Sequence, residues 1–296
     1  MGVIISGVTV TPERARVPWP RFLILIALIG ASAALVAYFT SPGLSPQPTR
    51  ASSLDARIHV PLFVDPNHVH HTPRFRFTFD TPEALAGLRA SERLDDVVTG
   101  AAGDFERAMR LMHWARRQWE PGVPNPYPPL DARIILRDIR RGFTGGQSAQ
   151  YNTILVQALQ SLGIPARYVR LVDHDVIEAR PGEEARWLCL DPLNDTIFMD
   201  ETATPLSAYE VHERILSRLP VALSQGHRSE DPAALLRSFA SFGIWLKNDH
   251  VGSPVNFADL ERYIVYFVDQ ADQPTPFAPG VLTTTDPVDL YAEGRS

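Results

Sequence analysis

Apolar residues follow several rhythms along the chain, and each predicts a different element. From Phe22 to Phe39 the run FLILIALIGASAALVAYF holds no charged residue over 18 positions. As a helix rising about 1.5 Å per residue, it spans roughly 27 Å, enough to cross a hydrocarbon core. Arg14, Arg16 and Arg21 precede it, and the next charge is Arg50. The positive-inside rule then keeps residues 1–21 in the cytoplasm and sends everything beyond residue 40 outside. An uncleaved single-pass anchor in the cell membrane is the expectation. A signal peptide cleaved near Ala31–Ala33 is the rival, and it leaves the rest of the chain equally extracytoplasmic. The proline-rich TSPGLSPQPT that follows predicts a linker over 40–55.

Alternation takes over in RFRFTFD, where Phe75, Phe77 and Phe79 interleave with polar residues, the mark of a strand with one buried face. Spacings of three and four return in TPEALAGLRASERL, in GDFERAMRLMHWARRQWE and in the stretch from Ala149 to Leu162, predicting helices. Gly163 and Pro165 end the last of these. ARYVRLV, DVIEA and RWLCLD then read as strands, with TIFMD as a possible fourth. Beyond residue 200 the pattern predicts mainly helix, in TPLSAYEVHERILSRL, DPAALLRSFASFGIWL and NFADLERYIVYFVDQ. The expectation is an α+β domain over 56–200 followed by a helical extension over 201–296.

Composition narrows the function classes. A net charge of −6, with no basic stripe carrying interleaved aromatics, argues against nucleic acid as a partner. The single cysteine, Cys189, excludes an intramolecular disulfide and reads as a buried small hydrophobe. His68, His70 and His71 in DPNHVHH can bind a transition metal, but no acidic or cysteine partner sits at short spacing. A solvated loop is expected there, and no metal or cofactor.

Three polar residues fall at related places. Ser148 opens a helix after two glycines, His174 starts the second strand, and Asp191 ends the third. A nucleophile, a base and a group that orients the base form the triad logic of acyl transfer. These residue types are common, so spacing alone leaves the assignment open.

The motifs around them resemble a family. GGQSAQY with LVQALQSLGIPARYV, then HDVIEA and RWLCLDP, are similar to the transglutaminase-like superfamily. Gly163 to Arg167, His174 with Glu178, and Trp187 with Asp191 and Pro192 match its pattern across roughly residues 104–192. The resemblance implies a papain-related α+β core, with the nucleophile's helix packed on an antiparallel sheet. It also implies catalytic roles at positions 148, 174 and 191.

Two departures stand out. Ser148 occupies the place of the family's cysteine, and Val176 that of an aromatic. Cys189 sits on a strand, away from a helix start, and is no substitute. A helix amino terminus and an imidazolium store a thiolate before substrate arrives. A hydroxyl is too weak an acid for that and needs the histidine to take its proton during attack. Serine is also a strong helix cap, worth about 1 kcal/mol over alanine. The expectation is a catalytically silent domain of the cell envelope that binds a peptide or glycan, with Ser148 as a cap. The alternative is an active amide or ester hydrolase, or an acyltransferase, using Ser148 as nucleophile.

Overall fold

The computed structural model describes residues 74–224, 226–251, 261–269 and 281–291. The apolar run at 22–39, the linker and the histidines at 68, 70 and 71 lie outside them. Among the described residues, no helix is long and apolar enough to cross a membrane.

Phenylalanine alternation survives only in part. Phe75, Phe77 and Phe79 are half-buried while Arg74, Arg76 and Thr78 are exposed, yet only Thr78–Phe79 forms a strand, β1. It pairs in parallel with Lys247–Asn248, away from the main sheet.

Five helices follow: α1 (Ala86–Ser91), α2 (Leu94–Val97), α3 (Asp104–Arg116), α4 (Ala132–Arg140) and α5 (Ser148–Ser161). Left-handed Arg93 (φ 52°) breaks the first expected helix into α1 and α2. Asp131 caps α4 by accepting from the N–H groups of Arg133 and Ile134. α5 ends as its sequence predicts. Gly163 takes φ +78°, its N–H donates to Gln160 O (2.9 Å), and Ile164 N–H donates to Leu159 O (3.1 Å).

α5 differs from expectation in one respect: every residue from Gln150 to Ser161 is buried, not only one face. α1, α3 and α4 pack around it, and the sheet lies beneath. Its polar side chains therefore serve neighbouring backbone. Gln157 accepts from Ala132 N–H (2.9 Å) and donates to Leu130 O (3.1 Å). Gln160 accepts from Asp80 N–H and donates to Ala166 O and Asn248 O.

The expected strands form as β2 (Ala166–Leu171), β3 (Asp175–Ala179), β4 (Leu188–Asp191) and β5 (Thr196–Met199), each antiparallel to the next. After α6 (Ala208–Leu216) come β6 (Ala222–Leu223) and α7 (Pro232–Arg237). The largest correction follows. SFGIWL and YIVYF, expected in helices, contain strands β7 (Phe242–Trp245) and β9 (Ile264–Phe267), with Lys247–Asn248 as β8. β10 (Leu282–Thr284) and α8 (Val288–Tyr291) complete the described chain.

The main sheet runs β10-β9-β7-β2-β3-β4-β5-β6, antiparallel throughout except at β9–β10. Residues beyond 201 thus supply half of its strands and are not a helical extension. The sheet buries both faces. Tyr168, Ile177, Leu190 and Trp245 join α1 to α5 in one core, whereas Val169, Val176, Cys189 and Phe242 join α6, α7 and α8 in the other.

Candidate functional site

Glycines at the start of α5 are fixed by close approach. A Cβ on Gly145 would stand 2.5 Å from Val123 O, and one on Gly146 would stand 2.6 Å from Trp119 Nε1. The segment 119–126 crosses there and is tied down. Gly122 N–H (3.0 Å) and Trp119 Nε1–H (3.3 Å) both donate to Gly146 O, and Thr144 Oγ1 donates to Pro126 O. A bulkier residue at either glycine would push this strap off the helix start.

Ser148 is half-buried and is the first helical residue of α5, not its cap. Gln147 takes the capping position with extended backbone, and Gln150 Oε1 reaches back to accept from its N–H (2.9 Å). The expectation that Ser148 caps the helix is therefore corrected. Its hydroxyl has no hydrogen-bond partner among the described residues, and none joins it to His174 or Asp191.

His174 follows left-handed Asp173 (φ 59°), which turns the chain from β2 into β3, and Leu171 N–H donates to His174 O (2.8 Å). Its Nε2 lies 2.8 Å from Asp191 Oδ2. Asp191 is wholly buried at the end of β4 and accepts again from Asn194, through its backbone N–H (3.1 Å) and Nδ2 (2.7 Å). A carboxylate only accepts, so this network assigns the proton to Nε2 and leaves Nδ1 as the ring nitrogen open to a nucleophile. Burial pulls the imidazole towards its neutral form. The charge and hydrogen bond of Asp191, with the charge of Asp175, outweigh that and hold its pKa above the usual 6.5. Asn194 was not singled out in the sequence. The signal lay in DPLN, where an aspartate begins a turn and an asparagine closes it.

Ser148 and His174 each lie one residue along the chain from a small cavity. Their sequence neighbours Ala149 and Asp175, with Leu130, Asn152, Tyr168 and Trp245, line this cavity of about 10 Å³, room for about one water. Asn152 is fully buried there, and neither of its side-chain polar atoms has a protein partner among the described residues. The structure thus brings His174 and Asp191 into contact and leaves Ser148, on the helix packed against β3, without a hydrogen bond to either.

The remaining motif residues do structural work on the opposite face of the sheet. Arg167 is fully buried, donates from Nε and Nη2 to Glu178 Oε2 (2.9 and 2.6 Å) and from Nη1 to Leu290 O (2.6 Å). The Trp187 ring lies 4.0 Å from its guanidinium carbon, and the Phe77 and Tyr291 rings lie 4.8 Å away. Glu178 Oε1 accepts from Ala208 N–H and Tyr291 OH, both at 2.8 Å. Arg167, Glu178 and Trp187 lock β2, β3, α6 and α8 together. Cys189 is buried in the same core, and burial drives its thiol pKa well up, so it is no nucleophile.

Comparison with family models, curated proteins and solved structures gives no match for this chain.

Proposed function

We propose that the protein is a transglutaminase-like domain of the cell envelope, held to the membrane by residues 22–39, with a silent catalytic site and a binding role towards a peptide or glycan. The reading rests on one observation: His174 is fixed by Asp191 while the Ser148 hydroxyl has no bond to it. A carboxylate that raises an imidazole's pKa favours the imidazolium, which is what a stored thiolate needs opposite it. A serine can also use a carboxylate-held imidazole, but only one already in hydrogen-bond reach of its proton. Without a hydrogen bond to the dyad, the oxygen at position 148 gains no activation from it, whereas a thiolate could be stored there by charge alone.

A second reading is a serine hydrolase or acyltransferase, favoured by the finding that the Ser148 hydroxyl is not used up in capping. In that case His174 Nδ1 takes the hydroxyl proton as Oγ attacks an amide or ester carbonyl. N–H groups at the start of α5 would then stabilise the oxyanion. Labelling of the purified protein with a fluorophosphonate separates the two. The silent reading predicts no signal above a Ser148→Ala control, and signal lost in that control would establish the hydrolase.

A further inference from the structure

On the face of the sheet opposite α5, three metal-ligating side chains converge where α6 meets the end of β9. His212 is 2% exposed, and its ring is walled in by Phe242 and Phe267, with centroids 5.3 and 5.8 Å away. Its Nδ1 lies 2.7 Å from Phe239 O. A carbonyl only accepts, so Nδ1 carries a proton and Nε2 is the ring nitrogen left to face the carboxylates. Nε2 lies 2.9 Å from Asp269 Oδ1, which is another acceptor. Glu213 places its carboxylate in the same group, and one ligand atom from each of the three residues lies within 4.8 Å of the others. The Glu213 carboxylate has no hydrogen bond or ion pair with a described residue.

The Asp269 carboxylate only accepts, so either a ring proton or a metal ion joins it to Nε2. A proton on His212 Nε2 would serve Asp269 and leave Glu213 without a partner, whereas a metal ion serves all three. A histidine whose Nδ1–H is held by a backbone carbonyl, with Nε2 free to ligate, has the tautomer and ring orientation that metal sites fix through their outer hydrogen bonds. Mixed imidazole and carboxylate donors suit a divalent transition ion such as zinc, bound at about 2 Å. Small rotations of the half-exposed Asp269 and the half-buried Glu213 close the span around such an ion.

We propose that His212, Glu213 and Asp269 bind one zinc-class ion through Nε2 and two carboxylates, with solvent at the remaining position. The ion clamps α6 against the end of β9. This site stands on different residues from the His174–Asp191 dyad and does not depend on the function proposed there.

Isothermal titration of the full, chelator-stripped chain with zinc chloride tests it. The site predicts one equivalent bound, weakened at least about tenfold by Glu213→Gln and by Asp269→Asn. A variant with His68, His70 and His71 all changed to alanine should bind as the parent does. Both carboxylates are partly exposed, so those variants should fold, and a thermal melt of each metal-free protein checks that. No saturable uptake, uptake unchanged in both carboxylate variants, or uptake lost in the three-histidine variant would each overturn the proposal.

Discussion

A hydroxyl one position inside a helix has different work from one at the cap. Gln147 and Gln150 close the first turn of α5 between them, so Ser148 contributes little to holding the helix together. Asp191 and Asn194 meanwhile spend three hydrogen bonds fixing the His174 imidazole. Elsewhere the decisive residues are buried charges. Arg167 and Glu178 are both fully buried, and removing one partner leaves the other charged and unpaired. Glu178→Gln should cost about 3–5 kcal/mol in urea unfolding, while an Arg167→Met, Glu178→Leu double variant should recover most of that loss. The sequence marked Arg167, Glu178 and Trp187 through their motif spacing but could not say that they form a lock. That role depends on Leu290 and Tyr291, more than 100 residues away. The cap was misplaced for a local reason. Serine's intrinsic preference favoured position 148, but the backbone turned extended one residue earlier.

Elements were legible where their period was long enough to count. α3 and α5 carry several turns of apolar spacing, and β2 to β5 sit between turn residues. β7 and β9 were not legible because FGIW and IVYF are continuous apolar runs of four, too short for a period of two to be told from one of 3.6. Two signals favoured strands. β-branched and aromatic residues crowd both runs, and Gly243 interrupts the first. A Cβ at Gly243 would lie 2.6 Å from the Ile264 side chain and 2.8 Å from that of Tyr266, so the glycine marks where β9 packs against β7. Nor did the pattern reveal that α5 is buried all round. Its apolar spacing accounts for one buried face only, whereas neighbouring backbone takes up the hydrogen bonds of Gln157 and Gln160 on the rest.

At the scale of the molecule, the sheet sets what can be removed. β7 sits beside β2, the strand that leads into the His174 turn, and β9 and β10 extend it. Phe242, Ile244, Val265 and Phe267 from these strands are almost wholly buried. At about 1.5–3 kcal/mol each, their loss approaches the 5–15 kcal/mol by which whole domains are stable. A chain ended at residue 240 should therefore fail to show a cooperative thermal transition by circular dichroism. A sharp melt would mean that the earlier residues fold alone.

The electrostatic claim about the dyad is open to a direct measurement, because the buried Cys189 gives little background. In a Ser148→Cys variant, the rate of alkylation by iodoacetamide is followed from pH 4 to 10. An imidazolium held by Asp191 and a helix start predict a thiolate that stays reactive well below the ordinary thiol pKa of about 8.5. They also predict that His174→Ala returns the profile to that value. A rate that rises only near pH 8.5, with or without His174, would contradict the account.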